Sequence, residues 1–160
     1  MYMSKLKTNT YYIDTRNFRT DEQAEIADII DDIRGWAGLG YRFRRVYDRS
    51  SHPDIVIVKL SRSQMLRRFA ERPDLHGLSV TSRGANGSVI YIDDTNWRQV
   101  PANFYGSRQT YRQYLVQHEI GHCLGFEHVP ASAGHSRCPV MYQQTRGTIT
   151  CRANPWSNAL

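Results

Sequence analysis

Residues 118–128 read HEIGHCLGFEH, a segment that must begin as a helix and cannot end as one. Residues four apart on an α-helix lie one turn above each other on the same face, so His118 and His122 can aim both imidazoles at a single point. A continuous helix would carry His128 roughly 15 Å along the axis from His118, at about 1.5 Å per residue, out of reach of that point. Gly125 supplies the break, because a residue without a Cβ enters the left-handed region at little cost and commonly ends helices. Once the chain turns back there, His128 becomes the third member of the cluster. Any fold that holds this sequence must therefore present the end of one helix with a returning loop beneath it.

Three imidazoles suit one zinc ion and leave its fourth tetrahedral position to water, which is the open coordination of a hydrolytic centre and not the closed one of a structural site. Zinc so held lowers the pKa of its water from about 15.7 toward about 7. Glu119 follows His118 by about 100° of helical turn and flanks the site without being a ligand, so it is the expected general base. The metal ligands read from the sequence are thus His118, His122 and His128, with one zinc ion as cofactor.

The spacing HExxHxxGxxH is the signature of the metzincin peptidases, and the chain resembles them further downstream. Met141, in Cys138-Pro139-Val140-Met141-Tyr142, stands where metzincins carry a methionine in a tight turn beneath the metal. Astacin-like and serralysin-like members have a tyrosine two residues after that methionine. This chain has Gln143 there, with Tyr142 adjacent to Met141. Tyr142 is read as a packing residue, and Tyr142 or Tyr105 as an oxyanion stabiliser is the alternative reading. The stretches YRQYLVQHEIGHCLG, CPVMYQQT and CRANPW also resemble a family of small bacterial metzincin-like domains, a likeness that covers roughly residues 88–156. The resemblance implies an α+β, metzincin-like (zincin) fold. Its twisted, mostly parallel sheet has about five strands with an antiparallel edge strand, a backing helix and an active-site helix. The C-terminal subdomain is minimal, because only nineteen residues follow Met141.

At 160 residues and 40% hydrophobic content the chain can bury a core as a single domain, with an upper part to about residue 125 and a short lower part over 126–160. The net charge of +6 is spread over both halves, and the clusters Arg42, Arg44, Arg45 and Arg67, Arg68 read as solvated faces. A nucleic-acid binder concentrates its charge on one face or tail, so no nucleic-acid partner is expected. No apolar run reaches membrane-spanning length, and the first ten residues, MYMSKLKTNT, lack the apolar core of an export signal. Cys138 and Cys151 bracket the Met141 segment, and a bond between them would contribute on the order of 3 kcal/mol. The same two cysteines flank the methionine turn in the small bacterial domains, which supports the pairing and, with it, an exported or extracellular protein. Cys123 reads as a small buried hydrophobe.

Along the chain, Tyr11, Tyr12 and Ile13 suggest a strand, and a capping box over Thr20-Asp21-Glu22-Gln23 starts an amphipathic helix over about 21–36. Tyr41, Phe43 and Val46 alternate as a half-buried strand, and DIVIVKL over 54–60 reads as a central one. Residues 61–71 form a short helix or structured loop. Runs at 78–82 and 88–93 flank a glycine-rich turn and predict a hairpin, the first run being the edge strand. Residues 107–124 form the helix that delivers the histidines, and irregular chain follows Gly125. Asp93 and Asp94 at a strand end are read as a simple turn, with calcium binding the lesser alternative.

These observations predict a monomeric zinc-dependent endopeptidase acting on peptide or protein substrates. The substrate would lie along the edge strand as an added strand, so the candidate binding residues are Leu78, Ser79, Val80, Thr81 and Ser82. The pocket floor would be the chain over 142–147, including Tyr142 and Gln143. The alternative is a non-catalytic, zinc-containing module that binds peptides or proteins.

Overall fold

The computed structural model describes residues 7–130 and 136–157. In chain order these form β1 (Thr8–Ile13), α1 (Thr20–Asp31), β2 (Arg42–Arg45), β3 (Ile55–Leu60), α2 (Arg62–Arg68), β4 (Val80–Gly84), β5 (Gly87–Asp93), α3 (Asp94–Arg98) and α4 (Arg108–Cys123), with short 3₁₀ turns between. The first six residues, part of the stretch read for an export signal, and positions 131–135 and 158–160 of the lower part lie outside the described residues.

β3 is central because both of its faces are apolar. Alternation sends Ile55 and Ile57 to one side and Val56 and Val58 to the other, and all four are buried. β1 and β5 pair with it in parallel, β2 pairs in parallel outside β1, and β4 pairs antiparallel outside β5, giving the order β2-β1-β3-β5-β4. The architecture is therefore α+β, with a five-stranded, mostly parallel sheet and one antiparallel edge strand. On one face, Ile26, Ile29 and Ile30 of α1 and Tyr111, Tyr114 and Leu115 of α4 join Ile55, Ile57, Ile90 and Ile92 in the main core. On the other, Met65 of α2 and Phe69 pack with Val56, Val58 and Tyr91. The β4–β5 turn needs glycine at Gly87, where φ is +111° and a Cβ would stand 2.7 Å from the Asp54 carbonyl oxygen. Arg42 and Arg44 are exposed on the outer strand β2, where charge discourages pairing with another chain. Among the described residues no helix is long and apolar enough to cross a membrane.

Three expectations shift. The first helix stops at Asp31 instead of continuing to Trp36. Asp32 turns extended and its carboxylate accepts hydrogen bonds from the Arg34 backbone N–H at 2.9 Å and from the Arg34 guanidinium, a local alternative to the helical ladder. Ile33, read as part of the apolar stripe, is consequently 77% exposed, while Trp36 reaches the core from a 3₁₀ turn. The edge strand runs Val80–Gly84, two residues later than expected, because Leu78 belongs to the loop that closes on Leu75. The calcium alternative gives way: Asp93 caps α3 and pairs with Arg62 at 2.6 Å, and Asp94 pairs with Lys59 and Arg98. Both carboxylates are already neutralised by cations of the chain itself.

Lys59, buried on the main-core side of β3, is met by Glu22 of α1 at 3.2 Å and by Asp94 at 3.3 Å. Glu22 in turn accepts the Arg19 N–H and the Trp97 indole N–H, at 3.0 and 2.5 Å. Burial opposes ionisation of Glu22, but these donors and Lys59 outweigh it and hold its pKa below the usual glutamate range. A depressed folded pKa means that the contribution to stability is present above the ordinary glutamate pKa and is lost as pH falls through the folded value. Glu22→Ala should therefore cost about 3 kcal/mol near neutral pH, read from the urea unfolding midpoint, and should blunt the loss of stability on acidification.

Candidate metal centre

α4 begins at a capped end, where Ser107 Oγ accepts the Thr110 N–H at 3.0 Å, and it runs into the core so that its last two turns are almost wholly buried. Its end is a Schellman motif. Gly125 N–H bonds the His122 carbonyl at 3.0 Å, Phe126 N–H reaches back to the Gly121 carbonyl at 2.9 Å, and Gly125 sits at φ +100°. Phe126 then stacks on Trp36 with ring centroids 4.6 Å apart, which fixes the direction in which the chain leaves the helix. His128 follows on the returning chain, and Val129 N–H bonds the Met141 carbonyl at 3.1 Å.

The three imidazoles converge through the same ring atom. His128 Nε2 lies 3.2 Å from His118 Nε2 and 3.0 Å from His122 Nε2. Two nitrogens bound tetrahedrally to one zinc at 2.0–2.1 Å would be about 3.3 Å apart, so the cluster has nearly the spacing of a single centre. The opposite ring nitrogens have partners as well. His118 Nδ1–H donates to the Val140 carbonyl at 2.7 Å and His122 Nδ1–H to the Phe126 carbonyl at 2.9 Å, which leaves both Nε2 lone pairs pointing inward. His128 Nδ1 is 3.4 Å from the Gln143 amide, whose oxygen can accept its proton after a half-turn of the amide group. Burial holds the His118 pKa down to about 3, with the charges of His122 and His128 acting the same way, and burial also lowers His122 and His128. Neutral imidazoles are the form that binds metal. The donor set fits a zinc ion.

Glu119 is buried beside the cluster, and burial pushes its pKa up to about 8 against the opposing hydrogen bond from Thr81. A cation among the imidazoles favours the carboxylate and acts in the opposite direction. Cys123, pushed up to about 12 by burial, is a buried thiol that takes no part in the cluster.

Met141 is buried under α4 against Gly121. A Cβ on Gly121 would collide with Met141 Sδ and stand 2.9 Å from Trp36, so only glycine lets the helix settle on that turn. The Cys138–Cys151 disulfide, with Cα atoms 5.0 Å apart, closes the segment that carries Met141. Two side chains not singled out in the sequence lock it further. Gln144, fully buried, donates to the Pro139 and Asn154 carbonyls at 3.1 and 2.7 Å and accepts the Asn154 N–H. Asn154 in turn donates to the Cys138 carbonyl.

A cleft of about 250 Å³ runs past the histidines, and Leu78, Ser79, Val80, Thr81 and Gln143 line it together with Arg72, Arg83 and Glu127. Ser82 is outside it, on the opposite face of β4 beside the hairpin. Of the expected pocket floor over 142–147, only Gln143 reaches the cleft. Gln144 is locked inward, and Tyr142 lends its carbonyl to the Tyr114 hydroxyl at 3.3 Å. Tyr105 lies in a separate groove with Ile149, so neither tyrosine lines the cleft. Gly121 carried a signal that sequence reasoning passed over, since a glycine inside a helix costs about 1 kcal/mol and usually marks close packing. The contact from Thr81 on β4 to Glu119 on α4 has no such signal.

No curated protein matches the chain. The DUF3152 family model, described as a protein of unknown function, matches residues 7–150, and the chain belongs to that family.

Proposed function

We propose that the protein is a zinc-dependent endopeptidase of the metzincin type, with His118, His122 and His128 as ligands and Glu119 as general base. The observation that carries this reading is the convergence of three Nε2 atoms at 3.0–3.2 Å beside a buried carboxylate in an open cleft. Zinc held there supplies an acidified water and a positive centre for the oxyanion. Glu119 takes the proton of the attacking water on its carboxylate and passes it to the departing amine, so that the same group acts first as base and then as acid. β4 is the free edge of the sheet and lies beside the cleft, where an extended substrate can pair with it. Carbonyl partners for the outward N–H groups of His118 and His122, and a methionine turn tied by a disulfide, keep the ligands in place while the substrate exchanges.

The Cys138–Cys151 bond is consistent with an oxidising, extracellular setting, and peptide or protein chains are the partners this cleft suits. Glu119→Gln should retain stoichiometric zinc by elemental analysis while chelator-sensitive cleavage of a diverse peptide pool falls by about 10² to 10⁴. Zinc retention without any chelator-sensitive cleavage by the unmodified protein would favour the non-catalytic binding module instead. His128→Ala should lose most of its zinc on dialysis, whereas full retention would place the third ligand elsewhere.

A further inference from the structure

The alternation along β4 sends Val80 into the outer core with Tyr91 and turns Thr81, cross-strand from Ile90, toward α4. There Thr81 Oγ1 lies 2.5 Å from Glu119 Oε2 and 3.2 Å from the Glu119 carbonyl oxygen. Among the described residues no other group hydrogen-bonds the Glu119 carboxylate. Glu119 is 4% exposed, so its stem is held by packing, and the Thr81 hydroxyl is the polar contact that sets where its carboxylate oxygens stand. The Arg83–Glu127 pair, two residues along the same face of β4, is largely exposed and cannot substitute for that restraint.

We propose that Thr81 is a positioning residue for the general base, an inference that rests on the peptidase reading above. A threonine hydroxyl has one proton to donate and lone pairs to accept with. With Glu119 ionised, the hydroxyl donates to Oε2. With Glu119 carrying the proton taken from water on Oε1, the hydroxyl keeps its bond to Oε2, so the proton stays on the oxygen that can pass it to the departing amine. No proton leaves Thr81 in either state, and its bond to Oε2 persists through both. Because Thr81 belongs to the strand proposed to pair with substrate, one element would set both the substrate rail and the base beside it.

The test uses the full, zinc-loaded chain with Thr81→Val, Thr81→Ala and Thr81→Ser. Zinc stoichiometry and thermal midpoint should stay near those of the unmodified protein in all three. Thr81→Val and Thr81→Ala should lower kcat about ten- to a hundredfold with little change in KM, and Thr81→Ser should restore most of it. A readout independent of turnover is the affinity for acetohydroxamate, a zinc chelator whose acidic proton is taken up by a neighbouring carboxylate. Calorimetry should show it weakened about tenfold in the valine and alanine variants and recovered in the serine variant. Unchanged kcat and hydroxamate affinity in Thr81→Val and Thr81→Ala, or no rescue by Thr81→Ser, would overturn the proposal. If the unmodified protein cleaves no peptide, the peptidase reading falls, and the hydroxamate comparison still decides whether Thr81 places Glu119.

Discussion

The left-handed turn at Gly125 is the constraint on which the rest of the site depends. It ends α4, satisfies two of the carbonyls that every helix end exposes, and reverses the chain in the same three residues. The reversal has chemical consequences although the glycine has no chemistry. It brings the Phe126 carbonyl onto His122 Nδ1, so that the ring presents Nε2 inward, and it brings His128 back to within 3.2 Å of a histidine ten residues earlier. A residue with a Cβ at this position would be strained at φ +100°, and relief of that strain would come from swinging the third imidazole away.

The two halves of the cluster are held by different means. His118 and His122 ride on a helix embedded between α1 and the sheet, where apolar burial is extensive and no local crosslink is needed. The returning chain has almost no regular structure, and it is stapled instead. The disulfide, the Gln144–Asn154 exchange and the backbone bond from Val129 to Met141 supply what a core would otherwise supply. Met141 joins the halves, since its sulfur fills the space left open by Gly121 and its backbone carbonyl holds the segment next to His128.

What could be read from the chain follows from how local each feature is. The central strand was legible because DIVIVKL is apolar on both faces, and the metal helix because its histidines repeat at the helical period. The mostly parallel sheet with its antiparallel edge is what the family resemblance implies, while the residues themselves mark only the hairpin. The end of α1 was misread because Ile33 and Trp36 continue the apolar spacing, whereas the Asp32 side chain offers the backbone a competing hydrogen bond. The contacts of Thr81 with Glu119, of Gln144 with Pro139 and Asn154, and of Asn154 with Cys138 join side chains to irregular or distant chain and leave no periodic trace in the sequence. Gln144 lies in the stretch read as the pocket floor, and only the fold shows that it is fully enclosed.

The donor set also ties metal binding to the stability of the weaker half. His128 Nε2 stands at hydrogen-bond distance from the other two Nε2 atoms, so a neutral His128 with its proton on Nε2 can bridge the other two rings, while burial keeps His118 neutral. A cation would take the place of that proton and, because it needs His128 in its returned position, would stabilise the folded loop by mass action, about 4 kcal/mol at a thousandfold excess over the dissociation constant. The gain falls on the irregular chain after Gly125, because α4 is already fixed by its core. The disulfide acts on the same chain from the other end, at Cys138 and Cys151. A bound metal and the disulfide would therefore be complementary restraints on one segment.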